Sequence, residues 1–172
     1  MPSQAERVVD WMEIFAPLTS AERGAIAAKF KRHTCDKGER LLEPGMLSHS
    51  LFVIGSGVVS FSRRNGDADV EVLRLGPGGH YGEIGVLTDK PSSVTIIALT
   101  PVTLYELAKE DLGCILEARP EVARELAGAI ARRQAAGLTV GSAEVADGVP
   151  PHRLTDWFTT RLRRLYDISN AA

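Results

Sequence analysis

The sequence predicts a mainly β fold with α-helices at both ends, and two observations carry this prediction. Between residues 31 and 107, short runs rich in β-branched and aromatic residues alternate with turns that contain glycine and proline. Many short strands at this spacing are typical of a β-sandwich or a jelly roll. Outside that stretch, apolar residues recur at helical spacing. The predicted strands lie at residues 51–54, 58–61, 70–75, 94–99 and 102–107.

The strongest hairpin signal is Asn65-Gly66, because both residues tolerate the positive φ of a type I′ turn. In the run before it, Val59 and Phe61 alternate with serines, as expected of a half-buried strand. A hairpin centred on Asn65-Gly66 is therefore predicted.

Two helices are predicted before the strands. Apolar residues within 7–18 fall close to one face of a short helix before Pro17. Thr19 and Glu22 have the spacing of a capping box, in which two side chains satisfy backbone N–H groups at a helix start. Ile26 and Phe30 lie four residues apart and give this second helix one buried face.

Helical spacing returns near Lys109. Pro120 suits the first turn of a further helix and Gly137 suits its end. The apolar stripe of that helix, which is expected to pack on the core, comprises Val122, Leu126, Ala129 and Ile130.

The last part of the chain predicts a linker and a separate helix. Residues 137–151 have few large apolar side chains and are rich in Gly, Ala and Pro. Residues 153–166 predict a basic amphipathic helix, whose apolar side needs a cover. That apolar side is expected to pack on the domain itself, on a second copy of the chain, or on a membrane surface. The apolar side comprises Leu154, Trp157, Phe158, Leu162, Leu165 and Tyr166.

Composition is ordinary for a soluble globular protein, with 44% hydrophobic and 24% charged residues. The formal net charge of −2 argues against nucleic acid as a partner. The sequence has no run of 18 apolar residues and no apolar signal segment near its start, so a cytoplasmic location is expected. Cys35 and Cys114 are too few for a metal knuckle and are expected to be buried, reduced thiols.

The stretch at 76–98 carries the candidate chemistry. A glycine-rich loop leads into a short apolar turn with one acid, Glu83, and a loop with Pro91 then precedes a β-branched run. Glycine lets a backbone bend sharply and approach a ligand closely. A short helix beginning at Gly82 would direct N–H groups and a positive dipole end at one point, which suits an anion. Ionised Glu83 is an acceptor and suits hydroxyl groups.

The run Gly82-Glu83-Ile84-Gly85-Val86-Leu87, followed by Pro91-Ser92-Ser93-Val94-Thr95, resembles the phosphate-binding cassette of cyclic-nucleotide-binding domains. That cassette reads Gly-Glu-(Leu/Ile)-Ala-Leu-(Leu/Ile), a short loop, then Pro-Arg-(Ala/Ser)-Ala-Thr-Val, and the spacing matches without a gap. The resemblance covers residues 14–135 and implies a double-stranded β-helix (jelly roll) with flanking N- and C-terminal helices. Further matching segments lie at 37–39, 43–45, 51–54 and 57–59.

The resemblance implies cAMP or cGMP as the ligand and no cofactor. Glu83 would accept a hydrogen bond from the ribose 2′-hydroxyl, and Gly82 and Gly85 would present the backbone to the phosphate. Ser93 would offer its backbone N–H to the phosphate or the base. The expected binding residues are therefore Gly82, Glu83, Ile84, Gly85, Ser92 and Ser93.

The sequence departs from the family pattern at Ser92, where the family has an arginine that forms a charge-assisted fork with the phosphate. A serine offers one neutral donor. Two interpretations stay open: cyclic-nucleotide binding that is weaker than the family's, or a fold that lacks the phosphate arginine and acts as a protein-interaction module.

Two other classes of function fit less well. A cupin-type metalloenzyme needs a paired histidine motif and a distant third ligand, whereas His80 is a single histidine in this stretch. A transcription factor needs two packed helices for a helix-turn-helix, and one helix is predicted after residue 137. We therefore expect neither a catalytic nor a metal site.

The expected organisation is N-terminal helices at 1–30, a cyclic-nucleotide-binding-like jelly roll with a C-terminal lid helix at 31–136, a linker at 137–151 and a basic amphipathic helix at 152–172. The tail at 149–158 resembles the end of bacterial mechanosensitive-type channels that carry this domain in the cytosol. That resemblance implies a transmembrane channel domain as the effector, at the cytosolic face of the inner membrane. Ligand would favour a state with the lid helix closed and so regulate the effector.

Overall fold

The computed structural model describes residues 3–83, 86 and 91–135, with the backbone alone for residue 130 and residues 133–135. Two four-stranded antiparallel sheets lie in its centre, with strand orders β1-β8-β3-β6 and β2-β7-β4-β5. The strands are β1 (Lys31–Cys35), β2 (Arg40–Leu42), β3 (Ser50–Ser56), β4 (Val59–Asn65), β5 (Ala68–Leu75), β6 (His80–Tyr81), β7 (Thr95–Ala98) and β8 (Val102–Ala108). The expected mainly β jelly roll with flanking helices is confirmed.

The five predicted runs all form strands, and three further strands, β1, β2 and β6, were not predicted. β1 is polar and mostly exposed, and it pairs along one side with β8. β2 has three residues and β6 has two, so neither is long enough to show a pattern. These strands form because longer strands offer them pairing partners.

The predicted hairpin joins β4 and β5, but its turn lies one residue later than expected. Asn65 pairs with Ala68, so Gly66 and Asp67 form the loop. Gly66 has φ +66°, which glycine adopts without steric cost.

Helices cover one face of the first sheet. They are α1 (Gln4–Trp11), a 3₁₀ turn (Glu13–Phe15), α2 (Ser20–Lys29), α3 (Lys109–Ala118) and α4 (Pro120–Ala135). The single helix expected within 7–18 is interrupted at Met12, whose backbone is extended. The capping box of Thr19 and Glu22 is present, with hydrogen bonds of 3.0 and 3.2 Å.

Two apolar cores result from this arrangement. One lies between the sheets and includes Ile54, Phe61 and Ile96. The other lies between the first sheet and the helices, where Val122 and Leu126 of α4 are fully buried, as the predicted stripe requires. The predicted linker at 137–151 and the helix at 152–172 lie outside the described residues.

Candidate functional site

The glycine-rich loop at 76–79 is fixed to β3. Ile54 donates its backbone N–H to Gly79 and accepts one from Gly78, each at 2.8 Å. Gly78 has φ +85°, which allows this close reversal. The loop therefore delivers β6 to the sheet edge, where Tyr81 pairs with Phe52 and His80 pairs with Val53.

Gly82 follows β6 directly and fits a position that excludes any side chain. Its φ is +98°, and a β-carbon built on it would lie 2.2 Å from the Ser50 carbonyl oxygen. The Ser48 hydroxyl would lie 3.0 Å from the same β-carbon, and it donates a hydrogen bond to the Ser50 carbonyl. The cassette glycine therefore packs on the backbone at the start of β3.

Glu83 turns its carboxylate into the protein. Its side chain is 3% exposed, and its Oε2 lies 3.5 Å from Nδ1 of His80, whose side chain is 11% exposed. Burial of a carboxylate is costly unless polar groups compensate for lost water. This buried acid, held beside a positive-φ glycine, is the most distinctive polar feature of the cassette.

A helical turn begins at Gly82, whose carbonyl accepts a hydrogen bond from the Val86 N–H at 3.2 Å. The turn starts where the sequence predicted a helix start. Two of the expected binding residues, Ile84 and Gly85, lie outside the described residues.

Ser92 occupies the position of the family arginine, and its side chain is engaged locally. Its Oγ accepts a hydrogen bond from the Val94 N–H at 3.1 Å and lies 3.0 Å from the Val94 carbonyl oxygen, to which it donates. Its backbone N–H donates to Met46, and its carbonyl accepts from Gly45. Ser93, the next residue, is exposed.

The segment at 45–50 joins the two described parts of the cassette. Its first residues, Gly45 and Met46, bond the backbone of Ser92, and its last, Ser50, packs under Gly82. Thus the structure brings Gly82, Glu83 and the Ser92 region onto one end of the jelly roll, held by the same connection between β2 and β3.

Several residues around this site were not anticipated. Ser48 and Ser50 carried no motif, and their role depends on a contact with Gly82 across more than thirty positions of sequence. His80, the single histidine of this stretch, lies beside Glu83.

No cluster of three or more His, Cys, Asp or Glu side chains suitable for a metal ion lies among the described residues. Within the same residues, none of the helices is both long and apolar enough to cross a bilayer.

The fold and the cassette define a regulatory ligand-binding jelly roll. The family model of the cyclic nucleotide-binding domain matches residues 32–119. The chain belongs to the cyclic nucleotide-binding domain family. This domain is a regulatory rather than a catalytic fold.

The chain is similar in sequence to parts of longer curated proteins. It is 33% identical to Glutaminase 2 of Bradyrhizobium diazoefficiens over 70% of this chain and 19% of that protein. It is 29% identical to the Cyclic AMP receptor protein of Thermus thermophilus over 70% of this chain and 56% of that protein. It is 28% identical to the cAMP-dependent protein kinase type II regulatory subunit of Drosophila melanogaster, over 54% of this chain and 25% of that protein. The chain therefore spans about a fifth to a little over half of these relatives.

Three solved structures share the fold. The N-terminal domain of a transcriptional regulator from Streptomyces coelicolor has a TM-score of 0.60 and 30% identity, covering 79% of this chain and 95% of that one. The regulatory subunit of a cAMP-independent protein kinase A from Trypanosoma cruzi, bound to guanosine, has a TM-score of 0.62 and 19% identity, covering 81% and 52%. Its Trypanosoma brucei counterpart, a triple mutant bound to cAMP, has a TM-score of 0.62 and 20% identity, covering 72% and 46%.

Proposed function

We propose that this domain binds cAMP or cGMP through the cassette and regulates an attached effector without catalysing a reaction itself. The observation that carries this proposal is the buried carboxylate of Glu83, placed directly after Gly82 at the start of a helical turn. An acceptor held in this way suits the ribose 2′-hydroxyl. The backbone N–H groups at the turn and at Ser93 suit the cyclic phosphate.

The cassette lacks, at position 92, the cationic side chain that pairs with the negative charge of the phosphate in the family. An arginine at position 92 would supply a charge-assisted fork, whereas the Ser92 hydroxyl bonds its own chain at Val94. Loss of one such contact costs about 1.5–3 kcal/mol, or roughly 10- to 150-fold in affinity. We therefore expect binding weaker than that of a cassette with the arginine.

A nucleoside is the second candidate ligand, and Ser92 is the observation that favours it. A nucleoside has the ribose that Glu83 suits and lacks the phosphate that Ser92 serves poorly. The related Trypanosoma cruzi subunit is bound to guanosine, and the mutant of the Trypanosoma brucei subunit, which is bound to cAMP, gains an arginine in place of a threonine. A fold without any ligand, acting as a protein-interaction module, is the remaining alternative.

The regulatory mechanism that we propose is a shift in population. Ligand binding favours one arrangement of the C-terminal helix, and the effector responds to that arrangement. The resemblance of the tail at 149–158 to bacterial channels supports a channel effector and a location at the cytosolic face of the inner membrane. The relatives described above add no support for that effector. Upstream coding sequence with several apolar segments of about 20 residues would support it.

Calorimetry of the purified chain with cAMP, cGMP, adenosine and guanosine tests the proposed function. We expect both cyclic nucleotides or one of them to bind, and Ser92→Arg to tighten that binding by about 10- to 150-fold. Glu83→Gln should weaken both nucleotide and nucleoside binding, because both ligands have the ribose hydroxyl.

Ser62→Arg provides the matched control, because it adds the same charge close to the cassette but outside it. Ser62 lies on β4, opposite Thr95 at the start of the strand that follows Ser92. Equal tightening by Ser62→Arg would mean that the effect is non-specific. Binding of nucleosides alone would favour the second candidate. If the folded Ser92→Arg variant binds none of the four ligands, the cyclic-nucleotide proposal is wrong and the interaction module remains.

A further inference from the structure

Strand β4 places an arginine on the face that lines the interior of the jelly roll. Its pairing with β7 is regular, with Val59 opposite Ala98 and Phe61 opposite Ile96. Val59 and Phe61 are fully buried in the core between the sheets. Side chains alternate along a strand, so the next residue on this inner face is Arg63. The serines between them lie on the opposite face of the strand, where the buried Ser60 donates a hydrogen bond to Glu71 on β5.

Arg63 lies at the end of β4 that is nearest the second part of the cassette. The last pair between β4 and β7 is Ser62 with Thr95, so Arg63 lies one residue beyond the end of this pairing, on the side where Val94 precedes β7. Val94 is fully buried, its N–H bonds the Ser92 hydroxyl, and Ser93 precedes it. The long Arg63 side chain therefore starts beside the segment expected to contact phosphate.

The exposure of Arg63 differs from that of the other arginines on this sheet. On the four described strands of the second sheet, the side chains of Arg40, Arg64 and Arg74 are 59%, 67% and 64% exposed. Arg63 is half-buried. A partly buried guanidinium interacts more strongly with an anion than one in bulk water, and its planar fork matches phosphate oxygens.

We propose that Arg63 supplies the cationic donor for the phosphate of the ligand, from strand β4, in place of the arginine that the cassette lacks at Ser92. This inference rests on the proposed function, because it concerns the same site. It adds a residue from a different strand and a reason for the cassette to retain phosphate recognition. It also predicts a preference for nucleotide over nucleoside, since a nucleoside has no charge for Arg63 to pair.

The test compares Arg63→Gln and Arg63→Lys with the unmodified chain, using calorimetry with cAMP, cGMP, adenosine and guanosine. Arg63→Gln should weaken cyclic-nucleotide binding by about 10- to 150-fold and leave any nucleoside binding unchanged. Arg63→Lys should retain part of the affinity, because it keeps the charge and loses the fork. A purely structural role would affect nucleosides and nucleotides alike.

Arg64→Gln is the matched control. Arg64 is the next residue on the same strand, faces outward and bonds the Gly66 carbonyl at 3.2 Å. Equal losses in Arg63→Gln and Arg64→Gln would overturn the proposal. Combination with Ser92→Arg is a second check: an arginine in the cassette position should make Arg63→Gln nearly neutral.

Failure of this inference is distinct from failure of the proposed function. If the unmodified chain binds cyclic nucleotide and Arg63→Gln binds it equally well, Arg63 has no such role and the function stands. If the unmodified chain binds no cyclic nucleotide, the proposed function fails. The role of Arg63 as an anion-binding residue is then tested by titration with inorganic phosphate, with the backbone amide chemical shifts measured by NMR. Saturable shifts at Arg63 and Ser93 that disappear in Arg63→Gln would support an anion site, and their absence would overturn it.

Discussion

A β-carbon on Gly82 would lie 2.2 Å from the carbonyl oxygen of Ser50. The contact joins the first residue of the cassette to the first residue of β3, so the cassette starts where the sheet backbone leaves no room for a side chain. Any side chain at position 82 should therefore reduce the stability of the fold.

Gly82→Ala should be strongly destabilising. The backbone conformation alone should cost about 1–3 kcal/mol for a residue with a side chain, and the contact with Ser50 should add to that. Gly45→Ala is the matched control, because Gly45 has φ +90° and open space around a built β-carbon. Urea unfolding of both variants measures the difference. Equal losses would show that the contact with Ser50 contributes nothing.

The ion pair of Glu22 and Arg119 should make stability depend on pH in the acid range. Arg119 donates two hydrogen bonds of 2.7 Å to the Glu22 carboxylate. These bonds, followed by the one from the Thr19 N–H, lower the pKa of Glu22 from 4.5 to about 2. Because the folded pKa is lowered, the stabilisation is complete above the unfolded value and is lost as pH falls from 4.5 towards 2.

Glu22→Gln should therefore reduce the free energy of unfolding at pH 7 and have progressively less effect below pH 4.5. Glutamine still caps a helix, so the change removes the ion pair and retains the cap. Glu43→Gln is the control, because Glu43 contacts a single nitrogen of Arg40 at the exposed surface, 3.3 Å away. A Glu22→Gln effect that is the same at pH 7 and pH 2 would contradict this prediction.

Ser50→Ala should destabilise the sheet through Glu106. The buried Ser50 hydroxyl donates to Glu106 Oε2 at 2.6 Å, and His33 contacts the other oxygen at 2.8 Å. The Ser50 hydrogen bond, followed by that of His33, lowers the pKa of Glu106. We expect a loss of about 1–3 kcal/mol at pH 7, which shrinks as pH falls through the folded pKa of Glu106. Denaturation at pH 7 and pH 3, with Ser62→Ala as control, measures this loss.

The two cysteines should differ in reactivity, although both were expected to be buried. Cys114 is exposed, beside an apolar cleft of about 260 Å³ between α2 and α3, whereas Cys35 is buried. Burial, and then the neighbouring Glu39, raises the pKa of Cys35 to about 11, so it holds little thiolate at neutral pH. A thiol reagent should modify one cysteine per native chain and two in urea. Cys114→Ser should abolish the native reaction, and persistence of that reaction would contradict the prediction.

Much of the fold could be predicted because its signals are local. The capping box at Thr19, the long strands and the start of α4 at Pro120 depend on residues within a few positions of one another. The short strands β1, β2 and β6 could not be predicted, since they form by pairing with distant strands. The turn after β4 was displaced by one residue because cross-strand pairing, rather than the favoured dipeptide, decides which residues form the loop.

By itself, the sequence determined the family, the order of the longer strands and of the helices around them, and the residues of the cassette, because motif and spacing are properties of the chain alone. Only the tertiary structure decided how those residues are held. It buried Glu83 beside His80 and placed Gly82 on the backbone of Ser50. It also joined Glu22 to Arg119, which are 97 residues apart in the chain. Such contacts depend on how sheets and helices pack, and no local pattern of residues encodes them.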